Sequence, residues 1–376
     1  MKTSILFVID NLQFGGGERV FLQIINGLYP NRYHIFLTSL PNGPFYQSIT
    51  NKHVKYFPLD FSKRVNPRLI FQLRKIIKAN NIQIVHGQGT RAEFYARIAH
   101  RLAGNTKYIS TIAMTVEGFD IGMIRKKIYR IFDRMSEKFV DRFIVVSDSL
   151  KDKMIRERGI NPKRIIRIYN GIELDQYSPD KIRDSQQKIR KEFNINDATL
   201  LIAAVGRLVW QKGFEYLIKA IPDVVENFSN VMFLIVGDGP LKDRLKALGS
   251  RLEVNNHLIF TGFRKDIKDV LSATDALVIP SLLEGFPMIT LEAMAMSKPI
   301  IATRIAGIIE QIIDGESGIL IPPKNPVALS QAICHVLSDH EQMEKLKLNA
   351  RRRVKKHFSA EKMLLETEKI YQSLLE

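Results

Sequence analysis

Two acids eight residues apart, Glu284 and Glu292, bracket the stretch EGFPMITLE just after an apolar run. Carboxylates accept hydrogen bonds from paired hydroxyls, so each suits a polyol group. Between them, Pro287 fits the first turn of a helix, where a missing N–H removes no helical bond. The backbone N–H groups of Phe286, Met288 and Ile289 then lack helical partners and form a cradle for a phosphate. Glu292 falls about one and a half turns into that helix. At ~1.5 Å per residue the two acids are separated along its axis by roughly 8 Å or more. That spacing fits two hydroxyl-bearing groups, such as a sugar and a ribose, on either side of a phosphate. The competing use is plain: acids favour a helix N-terminus whatever binds there.

Two cations, Arg207 and Lys212, sit in GRLVWQKG, between an apolar run and the helical pattern that follows. Arginine offers a planar fork and lysine a mobile point charge, a combination that suits a diphosphate. A surface ion pair with nearby acids is the alternative.

The elements that must position these groups are legible as alternation. Near-continuous apolar runs, 4–9, 33–38, 82–86, 108–113, 142–147 and 165–170, alternate with helical patterns in the first half, and runs at 200–206, 231–237, 257–262, 275–280, 299–303 and 318–322 do so in the second. Such strands, separated by helices, indicate parallel sheets covered on both faces, hence two doubly wound α/β domains. The expected division is residues 1–176, 177–358, and a capped C-terminal helix over 359–376 packing back near the first domain. In open parallel sheets ligands bind beyond the C-terminal ends of the strands. There the second half carries Gly206-Arg207, Gly237-Asp238-Gly239-Pro240, Gly262-Phe263-Arg264 and Pro280-Ser281. Glycines at successive strand ends let a ligand approach the backbone closely.

Composition bounds the function. With 376 residues and 45% hydrophobic residues the chain builds sizeable cores. One cysteine, Cys334, excludes an intrachain disulfide and fits a reducing compartment. The apolar run after Lys2 stops at Asp10, too short for a secretory h-region, and no uncharged apolar run approaches 18 residues. A cytoplasmic protein is expected. Its net charge of +17 is uneven: residues 1–180 hold 29 Lys+Arg against 15 Asp+Glu, and the remainder hold 27 against 24. The basic half suggests an anionic partner, a membrane surface above all. No basic stripe interleaved with base-stacking aromatics appears, which argues against nucleic acid.

Taken together, GGGE at 15–18, YNGIE at 169–173, GRLVWQKG at 206–213, VGDGP at 236–240, the Phe263 loop, EGFPMITLEAMA at 284–295 and GIIEQIIDGESGIL at 307–320 resemble the retaining glycosyltransferases of the GT-B architecture, the group 1 or family 4 class. The match spans essentially the whole chain. The resemblance implies two facing Rossmann-like domains, the donor held by the C-terminal one, and no cofactor or metal. It implies Arg207 and Lys212 on the donor diphosphate, Glu284 on the transferred sugar, and Glu292 on the ribose. Gly206, Gly237, Phe286, Pro287, Met288 and Ile289 would line the donor site, with the backbone at Phe263 and Arg264 at the base. Gly15, Gly16 and Gly17 would cover the phosphate from the opposite domain. The expected donor is a UDP-sugar, with GDP-mannose next, and the expected mechanism front-face substitution with retention. Ala113 stands where many relatives carry a histidine, which leaves Thr115, Glu117 and His86 as acceptor-side candidates; His86 equally suits a structural role.

The acceptor implied by the resemblance is a glycan or polyprenyl-diphosphate-linked chain in cell-surface polysaccharide assembly, met on the inner face of the plasma membrane. Residues 123–142 form an amphipathic helix: Ile124, Ile128, Ile131, Phe132, Met135 and Phe139 on one face, Arg125, Lys126, Lys127, Arg130, Arg134 and Lys138 largely off it. The apolar face is expected to pack as core, leaving the cations to anionic headgroups. Lys63, Arg64, Arg68, Arg74, Lys75 and Lys78 form a second basic cluster. A GT-B sugar phosphorylase or epimerase and a fold-mate that binds nucleotide-sugar without turnover remain the alternatives.

Overall fold

The computed structural model describes residues 2–10, 14–62, 66–114, 122–177 and 183–376, with only the backbone of Arg125, Lys126, Arg183 and Asp184. The chain divides into two compact units, Met1–Gly171 with Ala360–Glu376, and Ile172–Ser359.

The first unit winds β1 (Thr3–Ile9), α1 (Gly16–Gly27), β2 (Tyr33–Ser39), α2 (Pro44–Gln47), β3 (Lys55–Pro58), α3 (Arg68–Ala79), β4 (Ile84–Gln88), α4 (Thr90–Ala103), β5 (Lys107–Ile112), α5 (Met123–Glu137), β6 (Arg142–Val145), α6 (Asp148–Arg158) and β7 (Ile165–Arg167). Its parallel sheet runs β3-β2-β1-β4-β5-β6-β7. Strands β1 and β4 are buried throughout or nearly so, as expected of strands covered on both faces.

The second unit winds α7 (Arg183–Glu192), β8 (Leu200–Val205), α8 (Phe214–Asn227), β9 (Val231–Val236), α9 (Lys242–Arg251), β10 (Leu258–Gly262), α10 (Ile267–Ala273), β11 (Ala276–Ile279), α11 (Met288–Ala295), β12 (Ile300–Thr303), α12 (Ile308–Gln311), β13 (Ile319–Ile321), α13 (Pro326–Ser338) and α14 (His340–His357). Its sheet runs β10-β9-β8-β11-β12-β13. Here α8 buries Phe214, Leu217, Ile218, Ala220, Ile221 and Val224 against that sheet. Each large one among them contributes roughly 2 kcal/mol relative to exposure. The last helix, α15 (Ala360–Ser373), belongs to the first unit, where Tyr371 reaches the core and Glu368 pairs with Arg32 at 3.3 Å.

One expectation fails. The apolar face of α5 is not core: Ile124, Ile128, Ile131, Phe132 and Met135 are all exposed, as is Met123, and the helix ends at Glu137 instead of 142, which leaves Phe139 outside it and half-buried. The face turned inward carries Tyr129, Asp133, Ser136 and Glu137. The reason lies on α4, whose Arg97 is only 1% exposed. Its guanidinium donates to Glu93 at 2.9 Å, Ser110 at 3.0 Å, Asp133 at 2.6 Å and Ser136 at 3.1 Å. Arg158 of α6 binds Asp133 at 2.5 Å and also Glu137. Burial pushes the Asp133 carboxyl up, but Arg97 and Arg158 outweigh it and hold it below the usual range. An unpaired buried guanidinium costs about 3–5 kcal/mol. The polar face of α5 therefore wins the inner position.

Candidate active site

The order of the second sheet reverses between β8 and β11, the place where open parallel sheets bind ligands beyond the C-terminal ends of their strands. After β8 the chain passes Gly206 and an exposed Arg207 into a 3-10 turn, Trp210–Lys212, that ends at Gly213. Gly213 has φ +61, and a Cβ on it would lie 2.1 Å from the Pro280 carbonyl oxygen. Only glycine permits this approach. The two loops are also tied by backbone: the Leu282 and Leu283 N–H groups donate to the Gln211 carbonyl at 2.6 and 3.3 Å.

That junction carries Lys212 across to Glu284. Lys212 Nζ donates to Glu284 Oε1 at 2.6 Å, and Ser281 Oγ donates to the same oxygen at 2.7 Å. Glu284 is 8% exposed and Ser281 is fully buried, while Lys212 keeps about a quarter of its side chain open, 25%. A buried carboxylate with two donors is fixed in place, and its cation stays within reach of solvent and ligand. The sequence pointed to Lys212 and Glu284 for separate groups of one ligand and to Ser281 only as part of a strand end; the structure joins Lys212 and Glu284 in a direct pair and brings Ser281 onto the same carboxylate. Its signal was its place at the end of β11.

Helix α11 begins at Met288, with Pro287 as N-cap at φ −67 and ψ 129, one position earlier than the first-turn placement expected. The extended ψ of Pro287 keeps it outside the helix. Phe286 therefore lies outside it too, buried against Phe358 with ring centroids 5.4 Å apart. The N–H groups that open the helix are those of Met288, Ile289 and Thr290, and among the described residues no side chain accepts from them. Glu292 is the fifth residue of the helix, buried, with Tyr177 donating to its Oε1 at 3.3 Å.

Gly237, at φ +140, packs so close that a Cβ would sit 1.9 Å from the Gly206 carbonyl oxygen. Phe263 is 69% exposed at the end of β10. The Arg264 side chain is engaged elsewhere: it grips Glu192 at 2.5 and 2.8 Å and Asp266 at 2.9 and 2.6 Å. These bonds raise its already high pKa further. Arg264 thus ties the loop after β10 to α7 and leaves a ligand only its backbone.

The first unit has the same kind of reversal, between β1 and β4. Gly15 caps α1, and its N–H donates to Glu18 Oε2 at 2.8 Å. Gly16 and Gly17 open the helix; a Cβ on Gly17 would lie 3.0 Å from Gln88 Nε2 and 3.7 Å from the Ala113 Cβ. Asp10, at the end of β1, accepts from the N–H groups of Arg91 and Ala92 at 3.1 and 3.4 Å and so closes the tip of α4. Burial pushes its carboxyl up to about 7 against those bonds. His86 is removed from the acceptor candidates. It is fully buried, with Nδ1 2.7 Å from Tyr371 Oη and Nε2 2.7 Å from Thr111 Oγ1. Desolvation lowers its pKa to about 3, so it stays neutral. Thr115, Glu117, Lys63 and Arg64 lie outside the described residues. Among the described residues no cluster of three or more His, Cys, Asp or Glu is placed to hold a metal ion.

Two parallel sheets, each reversing beside its first strand, make a recognisable class. The fold aligns with the structure of HepE from Anabaena in complex with UDP at a TM-score of 0.84 and 21% identity, over 99% of this chain and 100% of that one. This is the GT-B fold of glycosyltransferases. Sequence models agree on both halves: residues 14–176 match Glycosyltransferase Family 4, and residues 185–353 match Glycosyl transferases group 1. An uncharacterized glycosyltransferase of Methanocaldococcus jannaschii is 30% identical over 306 residues, 80% of this chain and 78% of that one. The UDP-Gal:alpha-D-GlcNAc-diphosphoundecaprenol alpha-1,3-galactosyltransferase of Escherichia coli is 29% identical over 304 residues, 78% of this chain and 77% of that one. The chain belongs to the group 1 glycosyltransferases.

Proposed function

We propose that this chain is a retaining glycosyltransferase that moves a hexose or N-acetylhexosamine from a UDP-sugar to a lipid-linked glycan acceptor in cell-surface polysaccharide assembly. The observation that carries the proposal is the convergence of Lys212, Glu284 and Ser281 at the reversal of the second sheet, beside the open tip of α11. Lys212 and Arg207 take the donor diphosphate, and the N–H groups at the start of α11 take its oxygens. Glu284, held by Ser281, accepts from a hydroxyl of the transferred sugar; Glu292 accepts from the ribose. The backbone at Phe263 and Arg264 meets the base. In the reaction the acceptor hydroxyl oxygen bonds to the anomeric carbon as the bond from that carbon to the phosphate oxygen breaks on the same face. The hydroxyl proton passes to the departing phosphate. Lys212, Arg207 and the helix tip stabilise the charge that grows there.

The Escherichia coli relative bears a name that specifies UDP-Gal and a diphosphoundecaprenol-linked acceptor, which supports the same donor nucleotide and acceptor class here. On this reading the acceptor is met at an anionic membrane surface, which the excess of cations in residues 1–180 favours. No helix among the described residues is long and apolar enough to cross a membrane.

Thermal-shift measurements with UDP, GDP and ADP test the donor: UDP should raise the midpoint most, since a ligand at a hundredfold its Kd adds about 2.7 kcal/mol. Turnover of the UDP-sugars that bind, with the product anomer read by NMR, tests transfer and retention. Stabilisation by UDP with no turnover of any donor on a diphosphopolyprenyl acceptor would leave a binding protein in place of an enzyme. Stabilisation by GDP alone would move the donor to GDP-mannose.

A further inference from the structure

Strand β4 ends in HGQG, residues 86–89. His86 and Gln88 lie two apart on the strand and so share one face of the first sheet. His86 commits both ring nitrogens inward, to Tyr371 and Thr111, and packs 5.0 Å from the ring of Phe21 on α1. Gln88 is the last residue of the strand, paired with Ile9 of β1 and Thr111 of β5 at the reversal of the sheet. It is 7% exposed. Among the described residues no hydrogen bond engages its amide. That amide meets the first turn of α1: a Cβ on Gly17 would lie 3.0 Å from Gln88 Nε2 and 3.7 Å from the Ala113 Cβ. The backbone that carries it is fixed on both sides. A Cβ on Gly87 would fall 2.2 Å from Tyr108 Oη, and one on Gly89, at φ +94, would fall 1.8 Å from Asp10 Oδ1. Both positions require glycine, and between them Gln88 alone carries a side chain. A buried amide without a partner costs stability, so a position that keeps one points to a use outside the fold.

We infer that Gln88 is a specificity-determining residue that holds a hydroxyl of the acceptor sugar. An amide donates and accepts in one plane, and a hydroxyl does both, so the two satisfy each other without charge. An anion would use only the donating half. An amide is also no base, so it suits a hydroxyl that is bound and not consumed, a neighbour of the attacking one. The groups assigned to the donor, Arg207, Lys212, Glu284 and Glu292, all belong to the second unit, which leaves the first unit to the acceptor. The inference rests on the reading that this chain transfers a sugar, and it deepens that reading. The acceptor must present a second free hydroxyl beside the tip of α1, and an acceptor that lacks it leaves the amide unpaired and is refused.

The test compares the wild type with Gln88→Leu, which keeps the size and removes both polar ends. The acceptors are α-N-acetylglucosaminyl diphosphate on a short alkyl chain and its monodeoxy analogues, with the UDP-sugar that turns over. In the wild type one deoxy acceptor other than that lacking the nucleophile should lose about tenfold or more in kcat/KM. Gln88→Leu should show the same loss with the complete acceptor, and removing that hydroxyl should then cost less than about twofold more. The acceptor KM should carry the change, while the donor KM and the UDP-induced thermal shift stay as in the wild type. The thermal midpoint of the free Gln88→Leu chain should hold or rise, because an apolar group replaces a buried unpaired amide. Gln88→Ala covers the case of a leucine that does not fit: it should repeat the loss on the complete acceptor with a midpoint near that of the wild type. Midpoints that fall by many degrees in both variants would make Gln88 a structural residue and overturn the inference. A deoxy penalty that persists undiminished in Gln88→Leu also overturns it. So does a raised donor KM with an unchanged acceptor KM, which would give the amide to the transferred sugar. Should the wild type transfer no sugar, calorimetric titration of the same acceptor in the presence of UDP decides. Binding weakened about tenfold in Gln88→Leu would support the inference and sink the enzymatic reading. Equal binding by both proteins, or none by the wild type, overturns the inference.

Discussion

The two sheets reverse in the same way, yet the helix tips at their reversals are treated in opposite fashion. In the first unit the tip of α4 is closed by one of the protein's own acids, Asp10, which accepts from its first N–H groups, while at α1 Glu18 folds back to accept from the N-cap N–H of Gly15. In the second unit the tip of α11 starts at a proline that offers no side-chain cap. The acid nearest to it in sequence, Glu284, is bound instead by Lys212 and Ser281. A helix N-terminus attracts negative charge. Where the protein supplies that charge the tip is structural; where it withholds it, a ligand can supply it. The pairing of Glu284 with Lys212 serves this division, since it keeps a carboxylate beside the open tip and gives its charge to a cation instead of to the helix.

The largest expected effect sharpens that contrast. Glu284→Ala or Lys212→Ala should each lower kcat by about 10²–10³, because each removes a charge aimed at the reacting centre. Nucleotide binding should survive in Glu284→Ala, read by the UDP-induced thermal shift. Asp10→Asn, which keeps the cap of the closed tip, should change kcat by less than about threefold. Equal losses in the two units would dissolve the distinction between an open and a closed tip.

A smaller effect uses one substitution at both reversals. Gly213→Ala places a Cβ 2.1 Å from a backbone carbonyl at φ +61, so neither partner can move freely. It should destabilise the second unit by about 2–4 kcal/mol and separate Lys212 from Glu284. Gly17→Ala meets the end of the Gln88 side chain at 3.0 Å and the Ala113 Cβ at an ordinary 3.7 Å, and sits in a helix. It should be neutral or stabilise the first unit by up to about 1 kcal/mol. Urea midpoints for the two units decide; a Gly213→Ala protein as stable as the wild type would show that the loops after β8 and β11 are not held by this contact.

Much of this was legible in the residues, for reasons that can be named. Strands such as Val231–Val236 are apolar without interruption because both their faces are covered, so the run itself marks the strand. Strand β3, KYFP, escaped notice: it is a short edge strand with no fully buried residue, ends in a proline, and resembles a loop. Helical spacing showed which residues within α5 share a face, but carried the pattern past Glu137 to Phe139, where the helix has already ended. It could not show which face turns inward, since Arg97 lies on another helix and its pairing with Asp133 spans 36 residues. The role of His86 was hidden for a similar reason: its partner Tyr371 is 285 residues away. Lys212 and Glu284 were named individually, but their contact depends on β8 pairing with β11, which no local pattern announces.

The smallest effects are pH slopes, and they separate the buried His86 of the first unit from its buried acids. His86 stays neutral in the native state down to about pH 3, whereas the unfolded chain takes a proton near 6.5. Between those values the unfolded state binds more protons, so this group makes stability fall as pH falls. Asp10 acts in the other sense. Its native carboxyl holds a proton up to about pH 7, while the unfolded one releases it near 3.8, so this group makes stability fall as pH rises through that window. Each slope approaches about 1.4 kcal/mol per pH unit. Glu93, whose carboxyl burial likewise pushes up to about 7, adds a second slope in the sense of Asp10, so from about pH 4.5 to 6.5 the wild type loses stability as pH rises. His86→Gln should therefore steepen that fall, and Asp10→Asn should flatten it. The second unit should show neither tilt, and parallel profiles for wild type and both variants would mean that the closed end of the first sheet admits enough water to keep both groups near their ordinary values.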